Sequence, residues 1–585
     1  MPNLRGKHSL PNARTLTVIA QDPSVRVGRN ILLAQLTVPA EQLLPGPCGY
    51  RVKVIDYDSS TSTLYEPAVY EAPKDSKYKD PFAFGRGKKG LSKRPNGYDQ
   101  KLLSDPRFHA QNVYAIAMRT LAQFEFALGR RARWGSDGHQ IHISPHAFAD
   151  ANAFYSRDDR AIFFGYFKGA SGATIYTCLS HDVVAHETTH AILDGLRSRY
   201  LEPSTPDQAA FHEGFADIVA LLSVFSLPDV VDALLDKNAS GNTKLIAKSR
   251  LTRDALAKSV LLGLGEQMGS ELSEIRGDAL RRSVELKPGQ NYMDMPEYEE
   301  EHARGELIVA AMMNAFLDIW LQRIARIGTV ERGMLDRSLV VEEGARVAGH
   351  LLTMSIRAID YCPPTDIWFS DYLAALLTVD REVVPDQGKY DYRQALLDKF
   401  EAFGIQQARG TDTDGTWKRF DRELTYSRSH FESMLRDREE VFRFLWENRD
   451  ALKVREDSYL EVQSVLPSIR IGPDGFVLHE TVAEYVQILT LWTSELKTVL
   501  DIAPPDDIPK NRRIRIFGGG TLIFDEYGQL KYHIPDRLED LERDRQIKRL
   551  RCLAASGFFD EPAAARPSSG SQSHFAILHR ARAAR

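Results

Sequence analysis

An α+β fold is the class this sequence predicts, and three observations predict it. Strand-like runs fill the first ninety residues, long apolar-periodic helices fill the middle, and further strand pairs lie past residue 459. A chain of 585 residues can hold roughly two to four domains with sizeable cores. Its 43% hydrophobic and 26% charged content is that of a globular protein, and a net charge of −5 argues against a nucleic-acid partner. No uninterrupted apolar run approaches the ~20 residues of a membrane span, so no span is expected.

The elements follow in order. Residues 15–19, 31–38 and 50–57 read as strands separated by Pro, Gly and Asp. Residues 84–98, rich in Gly, Lys and Arg, read as an exposed linker that ends a β-rich region over 1–95. Pro106 then opens a helix to Leu128 with Val113, Ile116, Ala117, Leu121 and Phe124 on one face. Residues 139–167 read as strands, and 307–321, 347–359 and 369–377 as helices, within a domain over 96–405. Past a polar break at 410–415 comes a helix over 428–448 with Phe431, Met434, Val441, Phe442 and Leu445 inward. Strands are expected at 459–471 and 476–478 around Asp474-Gly475, and at 514–517, 521–524 and 530–533. Gly518-Gly519-Gly520 reads as a turn between strands, since neither Lys-Ser/Thr nor a helix pattern follows it. A charged helix over 537–555 closes a mixed α/β accessory region at 406–560, and 561–585 reads as a flexible Pro/Ala/Ser tail. The β-rich pieces at the two ends are expected to pair into one accessory unit.

The stretch that carries chemistry is His186-Glu187-Thr188-Thr189-His190. Positions i and i+4 of a helix lie one above the other, so both imidazoles leave one face and can reach one Zn²⁺, while Glu187 points at its water. Ser180 or Asp182 suits the N-cap, and Gly195 lies near the C-terminus. A catalytic zinc wants three protein ligands and an open position. Leu193 and Leu196 occupy the positions where a metzincin carries Gly and its third His, so that ligand must come from elsewhere. Phe211-His212-Glu213-Gly214-Phe215-Ala216-Asp217 supplies it: Glu213 and Asp217 share a helix face, so one can bind zinc while the other holds a ligand imidazole. By contrast, His139, His142 and His146 alternate badly for a site and are not read as ligands.

These residues resemble a known family. Asp182 to His190, followed by Ala191 and Asp194, resembles the active-site helix of the thermolysin-like (gluzincin) zinc metallopeptidases, and Glu213 to Asp217 their second zinc helix. Asn152-Ala153-Phe154-Tyr155 with Ile162-Phe163-Phe164-Gly165 is similar to that family's substrate-binding edge strand. Gly277-Asp278-Ala279-Leu280-Arg281 resembles its arginine segment, and Glu301-His302-Ala303-Arg304-Gly305-Glu306 its histidine turn, closest to the fungalysin-like branch. The resemblance implies a two-lobe fold, with a β-rich N-lobe and a helical C-lobe.

For the site, the resemblance implies a single zinc ion held by His186, His190 and Glu213. Glu187 is then the general base, His302 and Tyr200 are oxyanion donors, and Asn152, Ala153 and Arg281 bind the polypeptide substrate. Asp217 is expected to hold His186, with Asp194 and His212 in the same outer layer. His212 stands where the family has an asparagine, and the carboxylate beside His302 is one of Glu297, Glu299, Glu300 or Glu301. A structural calcium is not expected, since Leu222-Ser223-Val224-Phe225-Ser226 lacks the acidic ligand. The alternative function is a zinc-bearing scaffold acting through its terminal regions. Cys48, Cys178, Cys362 and Cys552 lack metal or redox spacing and no secretory signal is visible, so a cytoplasmic site is expected, or export by a signal-less route.

Overall fold

The computed structural model describes residues 12–71, 78–83, 85–86, 92–135, 138–169, 172–202, 204–236, 244–263, 285–331, 333–383, 391–471, 477–504, 508, 510–536, 538 and 543–555. Its secondary structure is mixed, with strands at both ends of the chain and most helices between them.

β1 (Ala13–Ile19) and β2 (Leu33–Pro39) pair antiparallel, from Ala13↔Pro39 to Ile19↔Leu33. β3 (Val52–Val54), β4 (Ile141–Phe148), β5 (Ala153–Ser156), β6 (Ala161–Lys168) and β7 (Thr174–Tyr176) form one sheet in the order β5-β6-β4-β3, with β7 also on β6. β4 runs parallel to both β3 and β6, whereas β5 runs antiparallel to β6 and ends the sheet. The N-terminal strands therefore join the middle of the chain, not the C-terminal strands as expected. The reason is α1 (Pro106–Leu128), on which they pack: Asn112 Oδ1 accepts from Ile19 N at 3.0 Å, and Gln111 Nε2 donates to the Thr17 carbonyl at 2.9 Å. Pro106 starts this helix and Leu128 ends it, as expected; Asp105 caps it on Arg107 N, and Gly129 at φ 68° takes the left-handed position that stops it.

The helical core comprises α2 (His181–Leu196), α3 (Pro206–Phe225), α4 (Glu301–Ala325), α5 (Arg337–Ala358), α6 (Phe369–Val383) and α7 (Tyr392–Ala402). Thr205 and Glu300 cap α3 and α4 through Gln208 N and Ala303 N. Among the described residues α4 is long and apolar enough to cross a membrane, yet 78% of its apolar window is buried against α3, α5 and α7. Gly195 lies near the C-terminus of α2, as expected, inside the last turn, where a Cβ would come within 2.2 Å of the Arg133 carbonyl.

The expected helix over 428–448 is broken. Asp437 caps a new helix, Arg438–Glu447, by accepting from Glu439 N at 3.0 Å. β8 (Tyr459–Ile471), β9 (Val477–Trp492), β10 (Arg513–Phe524) and β11 (Leu530–Asp536) form a four-stranded antiparallel sheet in chain order. Gly518-Gly519-Gly520 is not a turn but the middle of β10. Gly519 at φ 150° lets the backbone lie against β9, where a Cβ would come within 2.2 Å of the Tyr485 carbonyl.

Buried ion pairs tie this sheet to the helical core. Asp360 takes both guanidinium nitrogens of Arg130 at 2.6 Å and also pairs with Arg470, which reaches Glu480 at 2.5 Å. Burial pushes the Asp360 carboxyl up, but Arg130 and Arg470 outweigh it and bring it down from 3.8 to about 2. Its folded value lies below its unfolded one, so the pairing stabilises the protein above pH 4 and is lost as pH falls through 2. Acid titration followed by circular dichroism is expected to show a stability loss between about pH 4 and 2. Asp360→Asn is expected to lose about 3–5 kcal/mol at neutral pH in denaturant melts, because it leaves buried arginine charge unpaired.

Candidate metal centre and active site

α2 carries His186, Glu187 and His190, all at most 1% exposed. Val183, Val184, Ile192 and Leu193 pack around them, and Thr188 and Thr189 donate back to the Val184 and Ala185 carbonyls, which gives both buried hydroxyls a partner. Ser180 precedes α2 without capping it, since its hydroxyl goes to Asp182 at 2.5 Å. α3 brings Glu213, 3% exposed, against the same face.

His186 Nε2 lies 3.5 Å from Glu213 Oε2, and His190 Nε2 lies 3.4 Å from Glu213 Oε1. Zinc–nitrogen and zinc–oxygen bonds of ~2.0–2.1 Å put tetrahedral ligand atoms about 3.3–3.4 Å apart. The three side chains therefore fit a zinc ion by donor type and by spacing.

The far side of each ring is held as such an ion requires. His186 Nδ1 meets Asp217 Oδ1 at 2.6 Å, so Nδ1 carries the hydrogen and Nε2 turns its lone pair to Glu213. His190 Nδ1 meets His212 Nδ1 at 2.8 Å, and with His190 Nε2 given to a metal, His212 would accept there as an asparagine carbonyl would. Its departure from the family pattern thus leaves the orientation of His190 intact.

Glu187 is fixed by a group that the sequence does not reveal. Tyr155 N on the edge strand β5 donates to Glu187 Oε2 at 3.0 Å, while Tyr155 Oη donates to Asp194 Oδ2 at 2.8 Å. Asp194 also takes Arg157 Nε at 2.8 Å. Asp194, expected in the outer layer, braces β5: it lies two turns beyond His186 on α2, opposite the strand. Ala153 begins β5 and Asn152 immediately precedes it, where Gly165 N donates to the Asn152 carbonyl at 2.8 Å. Alternation then turns the Ala153 backbone away from β6, toward the open side of the strand.

His302 lies in the first turn of α4 with Nδ1 2.8 Å from Glu300 Oε1, which settles the ambiguity among the four candidate glutamates. The His302 hydrogen bond holds the Glu300 carboxyl down to about 2. α3 and α4 cross at Gly214 and Gly305: a Cβ on Gly214 would come within 2.7 Å of the Gly305 carbonyl. This crossing lies beside Glu213 and one turn from His302. Two glycines inside helical patterns were the available signal for it.

Tyr200 does not belong to this group. It is 2% exposed, donates to the Pro363 carbonyl at 2.7 Å and packs edge-on against Phe211. The 3-10 turn Ser198–Leu201 that follows α2 carries its ring into the core. Arg281 lies outside the described residues.

Comparison with known proteins agrees with this geometry. Residues 86–194 match the family model of the thermolysin metallopeptidase catalytic domain, a span that includes His186, Glu187 and His190 and stops before Glu213. No curated protein matches the chain.

Three variants test the centre. Asp217→Ala is expected to weaken zinc binding about 10–100-fold in chelator competition. Gly305→Ala is expected to force α3 and α4 apart and lower both zinc affinity and melting temperature. Tyr200→Phe is expected to keep turnover within a few-fold of wild type while costing about 1–3 kcal/mol in denaturant melts, because the Pro363 carbonyl loses its donor. The family match supports a thermolysin-like metallopeptidase family for this chain, and with it a zinc metallopeptidase in general.

Proposed function

We propose that the protein is a zinc endopeptidase of the gluzincin type, with His186, His190 and Glu213 as ligands and Glu187 as general base. The observation that carries this reading is the convergence of three buried ligand atoms at tetrahedral spacing beside a carboxylate anchored by the edge strand. When bound, zinc supplies Lewis acidity, polarising the scissile carbonyl and making a water acidic enough to attack near neutral pH.

The chain's own residues do the rest. The Tyr155 amide fixes the plane of the Glu187 carboxylate, which takes the water's proton and passes it to the leaving amine. The substrate backbone adds to β5 as a further strand, with Ala153 offering its outward carbonyl and Asn152 ordering the strand's start by accepting the Ala153 amide on Oδ1 at 2.9 Å. The His302 imidazolium, oriented by Glu300 through Nδ1, donates from Nε2 to the carbonyl oxygen as it gains charge, a contact worth about 2.7–4 kcal/mol of barrier in comparable sites. Arg281 is proposed to bind a substrate carbonyl. The two-lobe arrangement is part of this reading, with the sheet around β4 and β6 as the N-lobe and α3 to α7 as the C-lobe. A reducing compartment is the proposed place of action, supported by four cysteines that stand as free thiols.

With zinc bound, the wild-type protein is expected to cut an unfolded polypeptide, and Glu187→Gln to be slower by about 10²–10⁴-fold with unchanged zinc content. Mass spectrometry of the fragments and metal analysis of both proteins measure this. If wild type and Glu187→Gln behave alike, the reading is wrong and the zinc-bearing scaffold gains.

A further inference from the structure

A second group of metal-binding side chains lies apart from His186, His190 and Glu213. His109 of α1, His146 of β4 and Cys178 of the 3-10 turn Thr177–Leu179 are buried, with one ring nitrogen of each histidine and the sulfur all within 4.8 Å of one another. The poor alternation of His139, His142 and His146 argued against His146 as a ligand. That argument assumed a regular strand. β4 instead shifts register between Ser144 and Phe148, beside Pro145, and the irregularity leaves His146 1% exposed.

The hydrogen bonds count the protons. His109 Nε2 meets the Leu103 carbonyl at 3.1 Å, which only accepts, so Nε2 carries a hydrogen. His146 Nδ1 meets Asp56 Oδ2 at 2.8 Å and Oδ1 at 3.0 Å, so it also donates. The remaining nitrogens, His109 Nδ1 and His146 Nε2, lie 2.8 Å apart and share a third hydrogen. Three hydrogens on two imidazoles give one positive charge, which the Asp56 carboxylate balances. Cys178 is buried beside the pair, and its sulfur is the third ligand atom of the group.

Metal-binding histidines usually donate their second nitrogen to a carboxylate or a backbone carbonyl, as Asp56 and Leu103 receive it here. We propose that His109 Nδ1, His146 Nε2 and Cys178 Sγ form a second site for a thiophilic divalent cation such as Zn²⁺. Uptake expels two protons, the one shared by the rings and the one on the thiol. The pocket stays neutral: one positive and one negative charge become the cation's two positive charges against thiolate and carboxylate. No uncompensated charge is buried, which is otherwise the main cost of such a site.

Seating the ion opens the 2.8 Å ring contact to about 3.3 Å and leaves the fourth position to a water. The Tyr176 ring shields the pair, with centroids 4.8 Å from His109 and 5.1 Å from His146. Cys178 lies two residues before Ser180, so the ion would clamp the entry to α2 onto α1 and β4.

Cobalt substitution of the full chain tests this independently of peptidase activity, because His186, His190 and Glu213 include no sulfur. Wild type saturated with Co²⁺ is expected to show a near-ultraviolet thiolate-to-cobalt charge-transfer band. Glu213→Gln and a Cys48→Ser/Cys362→Ser/Cys552→Ser triple variant are expected to keep it, and Cys178→Ser to lose it. Metal analysis is expected to find one zinc equivalent more in wild type than in Cys178→Ser. Calorimetry in buffers of different ionisation enthalpy should register the two protons released. Absence of the band in saturated wild type, its loss in the triple variant, or equal zinc content in wild type and Cys178→Ser would overturn the proposal.

Discussion

Three carboxylates, Glu187, Glu213 and Asp217, lie buried within reach of one another's partners, and their charge is the constraint on which the site depends. Taking a carboxylate out of water costs several kcal/mol unless a cation or a set of donors replaces the solvent. Each one here has a different answer. Asp217 has the His186 N–H, Glu187 has the Tyr155 amide, and Glu213 has its two oxygens directed at two imidazole nitrogens whose hydrogens lie on the far side of the rings. A divalent cation among these atoms offsets Glu213 and leaves the other carboxylates their hydrogen bonds.

The elements around the site exist to hold that arrangement. The Gly214–Gly305 crossing decides how near α3 comes to α4, and so where Glu213 and His302 stand relative to each other. β5 is braced from the other side by Asp194, on the same helix as the ligands, so the strand and the histidines move as one piece. The start of α2 is tied to the N-terminal strands by His181 N, which donates to the Gln21 carbonyl at 2.6 Å. Its end is tied to the C-terminal sheet through Arg197, which pairs with Glu484 on β9 and donates to the Ile359 carbonyl at 2.5 Å. Both outlying regions thus fix the helix that carries the chemistry.

What was legible in the sequence was local. Pro106 marks the start of α1, because a residue of fixed φ acts within one turn, and the apolar period carries the helix to Leu128. The pentapeptide at His186 and the Glu213/Asp217 pair declare their faces through the helical period alone. Tyr200 failed because spacing along the chain fixes no direction once a 3-10 turn follows the helix, and its hydroxyl went to Pro363. Asp194 was expected in the outer layer, but the group it holds was not legible, because its neighbour is a strand whose position only the tertiary fold supplies. Tyr155 acts on Glu187 through its backbone amide, a group that every residue but proline owns, so no residue type announces it.

Gly518 to Gly520 and His146 show the same limit from opposite sides. Three consecutive glycines favour a turn by local preference, yet here they lie within β10, and Gly519 allows β9 and β10 to approach where a side chain would collide with the Tyr485 carbonyl. Tertiary contact overrode propensity. At His146 a strict period of two would send the side chain to one face with His142, and the two differ because the strand is irregular between Ser144 and Phe148. An irregularity in a strand costs a ladder bond and moves one side chain to a face the pattern denies it. Here the face gained is the one where His109, Asp56 and Cys178 already meet.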